Sequence, residues 1–198
     1  MHQGLRVAVA LIGSLAAGVA MSFGQTYLPP VIAPLANSAA PVVALAAAAA
    51  LAGRRWWSAT VLGSLAGPLA IVGYYTTSLA RGYGVSPTWV FVWCAAGLAF
   101  GSVMGAAVWL LRTAGTKAWL RGIAAGFWPG IAVGEAAHGI VRVSDSTPVA
   151  YWTAQCVIAA IVLLVLVRSC VSAPRDRALG ALTAVVLADV VFAAYGLL

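Results

Sequence analysis

The stretch VAYWTAQCVIAAIVLLVLV, residues 149–167, carries no charge over its whole length. Crossing the roughly 30 Å hydrocarbon layer of a bilayer takes about 20 mainly apolar residues at about 1.5 Å rise each, so this stretch predicts a transmembrane helix. Working outward, six further runs meet the same requirement: residues 5–23, 34–52, 57–79, 89–111, 118–140 and 178–198. The composition agrees. Of 198 residues 63% are hydrophobic and 8% charged, and the mean hydropathy is +1.01, far from that of a water-soluble domain. The expectation is an all-α integral membrane bundle of seven transmembrane helices forming one domain over residues 1–198.

Two of these runs have irregular features. Pro34 and Pro41 near the start of 34–52 make that run short and predict an irregular, re-entrant segment over 25–33. Arg6 ahead of an apolar run with small residues near Ala20 is also the pattern of a secretory signal; here it is read as the first helix.

Charge sets the orientation, because Lys and Arg concentrate in cytoplasmic connections. Arg6, Arg54, Arg55, Arg112, Lys117, Arg121, Arg168, Arg175 and Arg177 fall on one side and only Arg81 and Arg142 on the other. A nine-to-two division places the N-terminus in the cytoplasm and the C-terminus outside, in a multi-pass protein of the plasma membrane. The net charge of +7 is scattered singly or in small groups between apolar runs and forms no one basic face, which disfavours nucleic-acid binding. Cys94, Cys156 and Cys170 form no CxxC and pair with neither His2 nor His138, which excludes zinc sites and disulfide scaffolds.

Small residues predict where helices meet. Gly122, Gly126, Gly130 and Gly134 recur at every fourth position, as do Gly97, Gly101 and Gly105, with Gly63 and Gly67 on the third span. This spacing lets backbones approach closely in lipid. Pro68 and Pro129 are placed to kink their helices.

Polar groups within the spans carry the functional signal. Glu135, His138 and Arg142 share one sector of the fifth span. Asp189 lies about 13 Å from the end of the seventh span and Glu135 about 10 Å from the end of the fifth, so both carboxyls sit at one depth. Asn37, Tyr74, Tyr75, Trp93, Trp128, Trp152 and Gln155 belong to the same outer half. An ionisable side chain in a span is costly and usually faces a bundle interior or wet cavity, and burial keeps a carboxyl protonated. A protonated acid in an aromatic-lined pocket suits protonation of an alkene or epoxide, with Trp and Tyr faces stabilising the cation. The expected catalytic set is Glu135, Asp189 and His138. The expected substrate-binding set is Tyr74, Tyr75, Trp93, Trp128, Trp152, Asn37, Gln155 and Arg142. No metal or cofactor is expected: Asp145 and Asp176 are the remaining acids and lie in loops on opposite sides, so no Asp cluster holds Mg²⁺.

Two resemblances bear on this. The segment Ser22, Phe23, Gly24, Gln25, followed by Leu28, Pro29 and then Leu35, Ala36, Asn37, Ser38, resembles a group of small actinobacterial multi-span membrane proteins of unassigned function. It implies the architecture and no mechanism. The combination of size, seven spans and intramembrane acids among aromatics is similar to the membrane-bound terpene cyclases of indole-terpenoid and meroterpenoid pathways. That resemblance implies a metal-independent cyclase of a lipophilic isoprenoid substrate, with the acids as proton donors. The alternative is a small-solute transporter or substrate-binding membrane component using the same outer cavity, and a second alternative is a structural or accessory membrane protein whose acids only join helices.

Overall fold

The structure is a computed structural model and describes residues 2–197. It is all-α among those residues: α1 (Gln3–Tyr27), α2 (Ala39–Ala50), α3 (Trp56–Ala80), α4 (Pro87–Arg112), α5 (Ala118–Arg142), α6 (Val149–Cys170) and α7 (Pro174–Tyr195), with a 3-10 turn at Ala33–Asn37. Five of them, α1, α3, α4, α6 and α7, are long and apolar enough to cross a membrane. By length and composition this is a multi-helix membrane protein. Helix α5 matches α1 in length at 25 residues but carries Arg121, Glu135 and Arg142 among small residues.

Prolines mark where helices begin. Pro87 and Pro174 open α4 and α7, where a missing N–H costs nothing because the first-turn donors have no helical partner. Pro41 falls in the first turn of α2 for the same reason. The run 34–52, expected as one span, is instead a 3-10 turn, an extended Ser38 and a 12-residue helix. Pro34 and the Asn37–Ser38 pair explain the break, since both short polar side chains favour caps and turns over helix interiors. Pro68 and Pro129 lie inside α3 and α5, and each helix continues past its proline.

The chain divides into two compact units, Met1–Leu28 with Leu35–Trp109, and Pro29–Pro34 with Leu110–Leu198. In the first, α1 and α3 run parallel: Gln3 at the start of α1 donates to the carbonyl of Ala52 just before α3, and Ser22 near the end of α1 bonds Ser78 near the end of α3. A Cβ on Gly18 would collide with the backbone of Ala70, and one on Gly73 with the backbone of Leu15. Helix α4 returns antiparallel to α3, Gly63 against Gly101 and Gly67 against Gly97.

In the second unit the four-residue glycine stripe of α5 is its seam with α7. Gly122 meets Asp176, Gly126 meets Gly180, Gly130 meets Ala184 and Gly134 meets Ala188. The offset is the same at every step, so α5 and α7 are parallel and in register. Helix α6 lies antiparallel on α5, with Trp152 against Gly139 and Gln155 against Ala132.

Candidate functional site

Helices α1 and α3 touch backbone to backbone at Gly18 and Gly73. Beyond that seam toward their C-termini the side chains become polar, and a cavity of about 470 Å³ opens. Its floor is the buried pair Ser22 and Ser78, whose hydroxyls are 2.9 Å apart. Gln25 and Thr26 of α1 line one wall, and Tyr74 and Tyr75 of α3 another, with their rings edge to face at 5.0 Å. Tyr83 and Gly84 complete it.

The loop after α3 is built to hold that rim. Gly82 adopts φ +85, a left-handed conformation that costs glycine little. Its N–H donates to Leu79 and that of Tyr83 to Ser78, the pair of bonds that ends a helix in a Schellman motif. Tyr83 is thereby turned back toward α1, its hydroxyl 3.5 Å from that of Thr26. Arg81 braces the same corner. Its Nη1 donates to the Ser22 carbonyl at 2.5 Å and lies 3.3 Å from the Ser22 hydroxyl, and its Nη2 donates to Thr26 at 2.8 Å. The guanidinium lies 4.5, 5.6 and 5.1 Å from the ring centres of Phe23, Tyr27 and Tyr83, contacts worth about 0.5–1 kcal/mol each at exposed sites. Hydroxyls, phenols and one carboxamide equip these walls to bind a polar ligand.

The second unit holds a different constellation. Glu135 on α5 is 4% exposed. Gln155 of α6 donates to its Oε2 at 3.1 Å and Tyr195 of α7 to its Oε1 at 2.9 Å, while the Gln155 amide also reaches the Ala132 carbonyl at 2.9 Å. One carboxyl thus ties three helices together. His138 packs on aromatic rings, 5.1 Å from Tyr195 and 6.1 Å from Phe192 between centres. Among the described residues its buried Nδ1 has no hydrogen-bond partner, nor has the buried Nε1 of Trp152. Trp152 stands edge to face with Tyr151 at 4.8 Å and presses its indole on Gly139, where a Cβ would strike the ring.

The chain belongs to a family of unknown function, DUF6518. The family model matches residues 1–198. No curated protein and no solved structure matches it.

For this DUF6518 chain the structure distributes the expected site residues as follows. It joins Glu135 to Gln155 and sets Trp152 one turn of α6 away. His138 is near, but on the rings of Tyr195 and Phe192 rather than hydrogen-bonded to Glu135 among the described residues. Asp189 is not brought to Glu135: it is exposed, while Gly180, Ala184 and Val191 form the buried face of α7. At about 100° per residue, Asp189 points about 160° away from Val191. Arg142 is exposed at the end of α5 and Trp128 half-buried within it. In the first unit Tyr74 and Tyr75 line the cavity, Asn37 is exposed, and Trp93 is half-buried, stacked on Trp89 at 6.4 Å. Ser22, Thr26, Ser78 and Tyr83 escaped the reading of the sequence as site residues, because single hydroxyls are common in membrane segments and only tertiary packing collects them, while Gln25 entered it only through a resemblance and Arg81 only as a connecting charge. Ser22 and Gln25 do lie in the segment that carried the resemblance to small membrane proteins.

Proposed function

We propose that this chain is a plasma-membrane protein that captures a small polar solute in the α1–α3 cavity, as a transporter or as the substrate-binding component of one. The observation that carries this reading is a hydroxyl-lined cavity of about 470 Å³ in a chain that is 63% hydrophobic. Pockets for small molecules commonly measure about 300–1,000 Å³, and polar walls inside an apolar helix pair are costly unless they meet water or a ligand. The reading includes seven crossings, with the N-terminus cytoplasmic and the C-terminus outside. Since α1 and α3 are parallel, the chain must return between them, and the 3-10 turn and α2 together supply about 28 Å of helical rise, at about 2.0 and 1.5 Å per residue, for that return.

The test is a thermal-shift screen of the detergent-purified protein against small polar solutes, run beside Ser78→Phe, which fills the cavity floor. Solutes that stabilise the wild type and leave Ser78→Phe unmoved support the reading. A screen in which both proteins respond alike contradicts it.

A second reading, the proton-initiated cyclase of a lipophilic isoprenoid substrate, is favoured by one observation: Glu135 is a buried acid beside Tyr195, with the rings of His138 and Phe192 adjacent. On that reading Glu135 donates the proton, and it must first give up its bonds from Gln155 and Tyr195. Glu135→Gln then abolishes turnover of a polyprenyl substrate in membranes without loss of the folded protein. A variant with full turnover excludes Glu135 as the donor.

A further inference from the structure

We infer that the solute held in the α1–α3 cavity carries a negative charge, a carboxylate or phosphate, and that Arg81 is its charge partner. This rests on the solute-binding reading above. The argument begins in the sequence: residues 1–134 contain seven Lys and Arg (Arg6, Arg54, Arg55, Arg81, Arg112, Lys117, Arg121) and no acid, the first carboxylate being Glu135. The first unit therefore has no carboxylate of its own to pair with Arg81.

The structure shows what Arg81 has instead. Among the described residues its partners are a carbonyl, two hydroxyls and three aromatic rings, all formally neutral. Such groups spread a charge without cancelling it. The C-terminus of α3 adds about half an elementary negative charge, an effect confined to the last turn, and two carbonyls of that turn are already taken by the N–H groups of Gly82 and Tyr83. Within the first unit a positive excess is left beside the cavity. Of the five guanidinium N–H donors, the contacts above use at most three. Ser22 and Thr26, which anchor the guanidinium, and Tyr83, which stacks on it, are themselves cavity walls. An anion in the cavity would lie against the very residues that hold the guanidinium, Ser22, Thr26 and Tyr83, within reach of the charge of a planar fork that suits carboxylate and phosphate.

The experiment measures binding to the detergent-purified full chain with matched probes: inorganic phosphate, succinate and gluconate against the neutral erythritol and glucose. At least one anion is expected to bind ten-fold or more tighter than the neutral probes, and to weaken as ionic strength rises. Phosphate against carboxylate affinity then identifies the ligand class. In Arg81→Met the preference should fall to two-fold or less. Arg81→Lys, which keeps the charge and a donor, should retain part of it and covers the event that Arg81→Met does not fold. Neutral probes that bind as well as the anions overturn the inference and leave the solute-binding reading standing. No binding by any probe overturns both.

Discussion

Replacing Gly130 by alanine tests the packing that organises the second unit. An alanine Cβ there would lie 2.7 Å from the Ala184 carbonyl oxygen and 2.7 Å from Leu187 Cβ. Carbon atoms pack comfortably at about 3.5–4.0 Å, so the helices must separate locally by about 0.8–1.3 Å. Neither neighbour is the free end of a flexible side chain, and α5 and α7 touch at three more glycines in the same register, so the strain is shared along the seam. Overpacking of this kind costs about 1–3 kcal/mol. Opposing it is the helix-propensity gain of alanine over glycine, up to about 1 kcal/mol. Gly13→Ala on α1 supplies that gain alone, because nothing lies within 4 Å of a Cβ at Gly13. The difference between the two variants should therefore be about 1–3 kcal/mol, or roughly 2–4 °C of melting temperature per kcal/mol for a chain of this size. Thermal unfolding in detergent, followed by tryptophan fluorescence, reads it directly. If Gly130→Ala melts at or above Gly13→Ala, the α5–α7 seam is not packed as described.

Tyr195→Phe removes one hydrogen bond from Glu135 and should cost about 0.5–1.5 kcal/mol in the same assay. Glu135→Gln should cost a comparable amount, because a carboxamide offers one oxygen to two donors; a melting temperature equal to wild type in both variants would contradict the three-helix tie. Gly139→Ala drives a methyl into the Trp152 indole and should lower the melting temperature and alter the near-ultraviolet circular dichroism of the aromatic cluster, whereas an unchanged spectrum refutes that contact. Reporter fusions should place the N-terminus in the cytoplasm and the C-terminus outside, and a cytoplasmic C-terminus overturns the seven-crossing topology.

Much of the helical architecture was legible because apolar length and glycine period are local properties. The stripe Gly122, Gly126, Gly130, Gly134 predicted a close helix contact, and the structure supplies the partner, α7, which no local signal names. The run 34–52 was harder: its hydropathy reads as one helix, and only the turn preferences of Pro34, Asn37 and Ser38 divide it. Asp189 shows the limit most clearly. Counting residues from helix ends gave it the depth of Glu135, but depth is not azimuth, and its position on α7 turns it away from the α5 seam. The cavity was half visible, through Tyr74 and Tyr75. Its remaining walls come from α1 and from the Gly82 turn, which tertiary contacts alone bring together. A legible clue was present in the charge record, where Arg81 stands in the first 134 residues with no acid to answer it.

The most direct measurement is native mass spectrometry of the protein released from membranes without added ligand, beside the cavity-filling Ser78→Phe. The account predicts one small molecule retained by the wild type and absent from the variant. Identical spectra for the two, each without adduct or each with the same one, would contradict the claim that the α1–α3 cavity is a binding site.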